Sequence, residues 1–598
     1  MFLRSHHRTK DGKDHSYWSL VETVRTADGP RQRTLCYLGE LNGSAQARWL
    51  KAIEVFNEQG ESHQLKLFPS DTEPAVEEAG VARVELNRVR LERARRFGEC
   101  WVGLELWRRL GLDGFFEERL DLADDPREVA WSRVAAVLAI NRLCAPSSEL
   151  AIEERWYPAT ALDDLLGIEE SKINDSRLYR CLDRMLPHKT GLERHLRDRY
   201  GELFAAEFDV LLYDLTSSYV EGGAGKDAMM QRGYSRDHRS DCKQVVIALI
   251  VNGEGFPLSY ETFDGDRADV STLETVLRMV ERKYGQARRV WVFDRGIVSE
   301  ANLEVLRRRG GQYLVGTPRS KLKQFERPLL EGGWQQVRED VAVKLIPISQ
   351  GEETYVLCRS TARQEKEKAI HSRFSARMEK ALTRLEKQLA RGQLKDRHKI
   401  ERRLGRLEAR HPQVADLYEM KVVEQPSGLH LSWKRRSDHP SWQQTREGAY
   451  LLRTNLTERD PEKLWKSYIQ LTEAESVFRT LKGELSIRPI FHQLERRAKA
   501  HILVAFLGYA MWVTLKHLLL RKGSQLTPAR ALDLLSGLQS ADIVLPTTDG
   551  REIRLRRITQ PTAEQQSLLD HLGISLPKRL GFDMECSADS AHASVDSK

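Results

Sequence analysis

Five short apolar runs crowd the middle of the chain, and their order limits the fold more than any other feature. The run FDVLLYDL at 208–215 is almost continuously apolar, the pattern of a strand buried on both faces. After a Gly-rich loop, VVIALIV at 245–251 forms a second run, and Asn252-Gly253 turns the chain into a third at 258–263. A helical pattern at 272–284 leads to VWVF at 290–293. Another, at 299–309 with Ser299 as its cap, leads to the fifth run at 313–315. The order strand-strand-strand-helix-strand-helix-strand predicts an α/β fold around a mixed sheet. Hairpin neighbours run antiparallel, helix-linked strands run parallel, and the helices pack on the sheet.

A chain of 598 residues has room for several domains. Its 40% hydrophobic and 30% charged content excludes a disordered polymer, and its formal charge of +8 is compatible with a polyanionic partner. The seven cysteines, Cys36, Cys100, Cys144, Cys181, Cys242, Cys358 and Cys586, are scattered without a CxxC pair. That spacing argues against a disulfide framework and a structural zinc site, and suits a reducing cytosol. No secretory signal opens the sequence. The apolar stretch 502–515, between Lys499 and Lys516, is shorter than the roughly 20 residues that cross a bilayer. It is expected to be a buried helix, and the protein cytoplasmic.

Around the central runs, residues 1–42 contain two β-like segments joined through Asp28-Gly29-Pro30, 46–58 reads as a helix, and 61–80 as a linker. The stretch 83–96 holds six arginines and reads as a helix, suited either to running along phosphates or to presenting a solvated face. Residues 101–200 are helical in pattern, with breaks at Asp124-Asp125-Pro126, Ala145-Pro146 and Trp156-Tyr157-Pro158. Composition changes at 320–448, which carries strand-like runs near 341–348, 354–358 and 429–433 around a charged helical stretch at 365–410. There Phe374, Met378, Leu382, Leu385 and Leu389 space as a seam, Gly392 interrupts it, and Ile400, Leu404 and Leu407 resume it. Two antiparallel helices in a coiled-coil hairpin are expected. The run 450–456 then returns to the sheet, 528–536 is a helix capped by Thr527, and 551–558 reads as a strand. The expected domains are an N-terminal hairpin and helix (1–60), a helical DNA-binding region (83–205), a sheet core in two parts (206–319 and 449–520) split by an insertion (320–448), and a C-terminal helical region with a polar tail (521–598).

The chemistry rests on acids. Asp214 lies near the end of the first run and Asp294 directly follows the fourth. A helix starting at Asp460 and Pro461 carries an apolar face of Leu471, Ala474, Phe478, Leu481 and Leu485, beside a row of Tyr468, Glu475, Arg479 and Lys482. Asp214 is preferred to Asp209, which begins its strand, and Glu475 to Glu473, by its spacing from Tyr468 and Lys482. Asp214, Asp294 and Glu475 can meet where strand ends converge. Three such carboxylates repel one another unless a divalent ion neutralises them, and all-oxygen ligation favours Mg²⁺ or Mn²⁺. Two such ions would activate a water or a 3′-hydroxyl and stabilise the leaving oxygen of a phosphodiester. Arg295, Thr216, Asp237, Asp264 and Asp266 are further loop candidates.

The element order, with acids after strands one and four and a late helical Glu, resembles the ribonuclease-H-like core of DDE transposases. Tyr468, Glu475 and Lys482 resemble the Tyr-x2-Arg-x3-Glu-x6-Lys signature of a class of bacterial insertion-sequence transposases, the class with a β-rich insertion before its catalytic Glu. Leu471 stands where that signature has Arg. The resemblance implies a DNA transposase that binds terminal inverted repeats, cleaves phosphodiesters and joins 3′-hydroxyls to target DNA. Asp214, Asp294 and Glu475 would hold two Mg²⁺; Tyr468, Arg479, Lys482 and Arg488 would contact DNA; at least a dimer would assemble on DNA. The rivals are a metal-dependent nuclease without strand transfer and an inactive DNA-binding derivative.

Overall fold

The computed structural model describes residues 81–577 apart from 122–128, 223–227, 286–288, 348–352, 413, 426–427, 437–445, 548–549 and 551, together with the backbone of 2–10, 13–26, 29–40, 52–56 and 62–66. The chain divides into two compact units, one of Met1–His188, Glu484–Ser486 and Ala500–Lys598, the other of Lys189–Gly483 and Ile487–Lys499.

The first unit holds three small sheets. β1 (Phe2–Lys10), β2 (Lys13–Thr26) and β3 (Gly29–Glu40) form an antiparallel meander. Its second and third strands are the expected hairpin, and the basic segment before them adds a strand. Residues 52–56, expected in a helix, are instead strand β4 (Ala52–Phe56), antiparallel to β5 (Ser62–Lys66) and parallel to β6 (Val81–Val84). Ile53, Val55 and Phe56 favour strands, and five residues are too few for their spacing to separate a period of 3.6 from one of 2. β5 also lies inside the expected linker, the rest of which, like the break at 124–126 and the tail past Gly581, falls outside the described residues.

The arginine-rich helix expected at 83–96 is absent. Leu86–Arg88 is a single 3₁₀ turn and β7 (Arg90–Arg96) is a strand, antiparallel to β19 (Gln539–Pro546), which also pairs with β20 (Glu552–Ile558). The arginines serve the protein's own acids. Arg95, 3% exposed, donates to Asp163 at 2.6 Å and Asp164 at 2.5 Å. Arg90 reaches Glu552 at 2.7 Å, and Arg96 pairs with Glu99. Helices Gly98–Arg109, Leu112–Leu120 and Trp131–Cys144 follow, the last ending at the expected Ala145 break. The C-terminal stretch contributes the expected strand β20 and, against its expected helical character, β19, besides the helices Pro528–Leu535 and Ala563–Leu572. The helix Glu495–Arg521 is apolar and long, but 83% of its most apolar window is buried inside the protein, as a core helix requires.

The second unit is built on nine strands in the order β10-β9-β8-β11-β12-β18-β15-β14-β13. β8 (Val210–Val220), β9 (Lys243–Val251) and β10 (Pro257–Asp264) are antiparallel neighbours. The helix Leu273–Tyr284 leads to β11 (Val290–Phe293), and Glu300–Arg308 to β12 (Gln312–Gly316), with β11 parallel to both β8 and β12. Ser299 caps the second of these helices, its side chain accepting from the Asn302 amide. Leu211, Tyr213 and Leu215 of β8, with Trp291 and Phe293 of β11, pack on one face against these two helices. Alternation along the strand therefore turns Asp214 to the opposite face.

Part of the expected insertion belongs to this same sheet. β13 (Gln335–Arg338), β14 (Val341–Pro347) and β15 (Thr354–Ser360) extend it beyond β18 (Ala449–Thr454). The remainder has its own core. Helices Thr361–Ala390 and Arg397–Arg410 share Met378, Leu382, Leu385, Leu389, Ile400 and Leu404 with Leu417, Tyr418 and Leu431 around the ribbon β16 (Tyr418–Gln425) and β17 (Gly428–Arg435). Gly392, at φ +67°, makes the turn between the helices.

The helix expected from Asp460 onward is two helices, Pro461–Ile469 and Leu471–Lys482, separated at Gln470. Asp460 caps the first, accepting from the amides of Glu462 and Lys463. At the junction Thr472 Oγ1 donates to the Ile469 carbonyl at 2.7 Å, the side-chain bond to a preceding turn that bends helices. The β9–β10 turn seats there: a Cβ on Gly253 would fall 2.6 Å from Gln470 Oε1. The apolar face is as expected, with Leu471, Ala474, Phe478, Leu481 and Leu485 all buried and joined by Val477.

Candidate active site

The register of two strands sets the geometry. Tyr213 of β8 pairs with Phe293 of β11 in parallel, so Asp214 and Asp294 follow at the same level on neighbouring strands. The helix Leu471–Lys482 packs on β8 and β9 through its apolar face and carries Glu475 on its exposed side. Asp214 feels both other acids. Burial first, then Glu475 and Asp294, push its carboxyl up to about 7, against a hydrogen bond from the Leu215 amide and the Arg236 charge. β8 runs on to Val220, so Asp214 lies within the strand and not at its end as expected, while Asp209, the rejected alternative, precedes it, its carbonyl accepting from the Val290 amide. Glu475 lines a cleft with Asp294, whereas Glu473 does not.

That cleft, about 380 Å³, opens between the sheet and the two helices. Asp294, Tyr468 and Glu475 line it together with Arg295, Arg319, Arg338, Arg363, Tyr450 and Trp465. Arg363 lies 5.1 Å from the Tyr450 ring centre and Arg338 5.6 Å from that of Trp465. A cleft lined by acids, cations and aromatic faces together suits a polyanion with flat bases. Asp214 is not among the lining residues. Arg295 is among the loop candidates, but Arg319, Arg338, Arg363, Tyr450 and Trp465 escaped the sequence reading, because they come from separated segments with no shared spacing.

Tyr468 sits on the first helix, not in one row with Glu475. Its hydroxyl stands 3.5 Å from Asp294 Oδ1, and burial, then the Asp294 charge, hold its pKa well above the ordinary value. It is therefore a protonated donor at any working pH. Glycine at 316, the end of β12, makes the approach possible: a Cβ there would fall 2.7 Å from the Tyr468 hydroxyl and 3.3 Å from Asp294 Oδ1. Gly316→Ala is expected to displace both groups and lower the rate of the chemical step at these acids about 10- to 100-fold with substrate affinity unchanged, since displacements near 1 Å cost up to that much. Single-turnover kinetics measures it; a wild-type rate would make the Tyr468–Asp294 contact idle.

Lys482 and Arg488 converge on a residue the spacing had not ranked. Lys482 Nζ donates to Asp237 Oδ1 at 2.7 Å, Arg488 bonds the same oxygen, and the Asp237 side chain is 3% exposed. Burial lowers the Lys482 pKa while Asp237 opposes that shift. The segment after the helix runs beside β8, with Ser218 Oγ donating to the Ile487 carbonyl at 3.1 Å and the Ile490 amide to the Tyr219 carbonyl at 2.9 Å. The same β8–β9 loop sends Arg236 to Asp269 at 2.5 Å and leaves Tyr234 83% exposed. Arg479 is exposed, and Leu471, where the signature has Arg, is buried.

The donor set fits a hard divalent ion by its chemistry: three oxygen ligands of like charge, one of them raised by burial for want of a counter-ion. Among the described residues no three His, Cys, Asp or Glu side chains stand close enough to hold a metal as they are. The structure thus brings the acids into one neighbourhood without closing them to ligand distance.

Residues 206–511, just over half of the chain, match the family model described as the transposase DDE domain, and the chain belongs to that family. Residues 3–61 match the model of the IS1634 family transposase N-terminal domain, which makes it a transposase of an insertion sequence. Enzymes of this family use divalent metal ions and act on DNA. No curated protein matches the sequence. Six chains of solved structures do, among them a piggyBac transposase in a synaptic complex with hairpin DNA, 8% identical over 73% of this chain and 79% of that one, with a TM-score of 0.35.

Proposed function

We propose that this transposase binds the terminal inverted repeats of its own element, hydrolyses phosphodiesters at the ends, and joins the freed 3′-hydroxyls to target DNA. Asp214, Asp294 and Glu475 are the metal ligands, and Mg²⁺ or Mn²⁺, two ions, the cofactor. The observation that carries the reading is the Asp214–Asp294 pair, level on adjacent parallel strands with Glu475 brought over by the helix packed on them. Exposed Asp294 and Glu475 have side-chain freedom to close on an ion. Bound there, the ions supply charge neutralisation for the attacking and leaving oxygens. Tyr468 orients Asp294 through its hydroxyl and reaches DNA beside it. Lys482 and Arg488, aligned by Asp237, and Arg479, free at the surface, take phosphates near the cut.

In this reading the strands β8 to β12 and β18 form a ribonuclease-H-like core at 206–319 and 449–520. The helical hairpin of the 320–448 insertion is a short coiled coil, the helices of 83–205 add DNA contacts, and the protein works in the cytoplasm as at least a dimer, since two ends must be joined.

The test is a strand-transfer assay with the element's ends, a target plasmid and Mg²⁺. Ends covalently joined to the plasmid are expected. Cleaved ends that are never joined would make the protein a nuclease, and binding without nicking would make it an inactive derivative.

A further inference from the structure

The helical pair at 361–410 carries sixteen Lys and Arg against seven Asp and Glu, a net of +9 where the whole chain nets +8. These charges are sorted by face. Met378, Leu382, Leu385 and Leu389 of the first helix turn inward to the second helix and the ribbon. Arg373, Arg377, Lys380, Arg384, Lys387 and Arg391 follow one another at steps of four, three, four, three and four, and all six are exposed. At roughly 100° per residue they stay within a sector of about 80°, turned about 150° from the buried seam.

The acids of the first helix lie off that stripe, and three of the four, Glu367, Glu379 and Glu386, are engaged elsewhere. Glu379 accepts from the Tyr418 hydroxyl at 2.7 Å and Glu386 from Trp433 Nε1 at 3.3 Å, both on the ribbon. Glu367 accepts from Arg319 at 2.5 Å and from the Gly448 amide at 3.0 Å. Among the described residues none of the six stripe cations has an ion-pair partner within 4 Å. On the second helix Arg402, Arg403, Arg406 and Arg410 are exposed as well. A solvated helix stabilised by its own charges would interleave acids with these cations at i+3 and i+4. Here six residues of like charge share one face of the first helix, a self-repelling arrangement that an external polyanion relieves.

We propose that this hairpin is an arm whose basic stripe lies along the sugar–phosphate backbone of duplex DNA outside the cleaved bond, giving affinity without reading sequence. From Arg373 to Arg391 the stripe spans roughly 27 Å at 1.5 Å per residue. Duplex DNA offers one phosphate charge about every 1.7 Å of axis over that length. Long, exposed Arg and Lys side chains with no polar partner suit phosphate contact rather than base-edge recognition. The inference rests on the reading of the protein as an enzyme of DNA ends.

The test uses the full chain with Arg373, Arg377, Arg384 and Arg391 replaced by Gln, and in parallel by Lys. The dissociation constant for a duplex of arbitrary sequence is measured by fluorescence anisotropy across a salt series. Each lost phosphate contact removes about 0.9 from the slope of log K against log salt, so the Gln variant should lose up to about 3.6 and bind about 10- to 1,000-fold more weakly at low salt. The Lys variant, which keeps the charge, should retain the slope. The replaced residues are exposed, so melting temperatures should match; a partial variant, Arg377→Gln with Arg384→Gln, should lose about half as much slope, about 1.8. A Gln variant with the wild-type slope and affinity overturns the arm while leaving the transposase reading intact. Wild-type protein that binds no duplex overturns both.

Discussion

Asp294→Asn is expected to abolish cleavage at the element ends, by at least about 10³-fold, while leaving DNA affinity unchanged, a loss on the scale of removing a group that stabilises transition-state charge. The substitution keeps the shape of the side chain and an oxygen for the Tyr468 hydroxyl, 3.5 Å away. What it removes is one negative charge from a set of three that only a cation makes tolerable. It also relieves repulsion on Asp214, whose carboxyl Asp294 helps to push up, so the variant should fold at least as stably as the parent without metal. Gel-shift binding and cleavage of the same labelled end, run side by side, separate the two effects. Cleavage at the parental rate would take Asp294 out of the site.

Asp214→Asn should raise the melting temperature of the metal-free protein at pH 8 and remove its response to Mg²⁺. The sign follows from the raised carboxyl, about 7 in the fold against 3.8 as the ordinary value. Below about pH 4 both folded and unfolded chains carry the proton and Asp214 costs nothing. Between about pH 4 and 7 the unfolded chain ionises first, so stability falls, by up to about 1.4 kcal/mol per pH unit. Above pH 7 the penalty, a few kcal/mol at most, is fully present, equivalent to several degrees of melting temperature. An amide does not titrate, so the difference between variant and parent should open across that window. Mg²⁺ reverses the parent's loss by binding the folded state, about 2.7 kcal/mol at 100 times its dissociation constant. Melting curves at pH 4 and 8, with and without Mg²⁺, read both effects without any assay of activity. Equal responses of parent and variant to Mg²⁺ would exclude Asp214 as a ligand.

These expectations began in local patterns. The apolar runs at 208–315 appear as β8 to β12 because apolar stretches of eight residues or fewer, rich in Val, Ile and aromatics and bounded by turn residues, are too short for a buried helix. Ser299, Thr527 and Asp460 cap their helices because a side-chain oxygen there meets an otherwise orphaned amide. The placement of Asp294 directly after VWVF was likewise legible, since a strand end is a local event. Elsewhere the same reasoning failed. Residues 90–96 are a strand, not a helix, because β19, more than four hundred residues later, supplies their backbone partners. Strands β13 to β15 join the main sheet because β18, after the helical hairpin, pairs with β15. Tyr468 and Glu475, one row on a straight helix, are parted by the junction at Gln470, where the β9–β10 turn seats.

Sequence alone determined the strands of the central runs, the buried face of the helix after Gln470, and the place of Asp294 directly after its strand, since each depends on side chains a few positions apart. Tertiary structure decided who meets whom: Asp214 level with Asp294, Tyr468 against Gly316, and Lys482 and Arg488 on Asp237. Such pairings join residues far apart along the chain, and no spacing encodes them. Register between strands and close packing fix them only once the whole sheet is assembled.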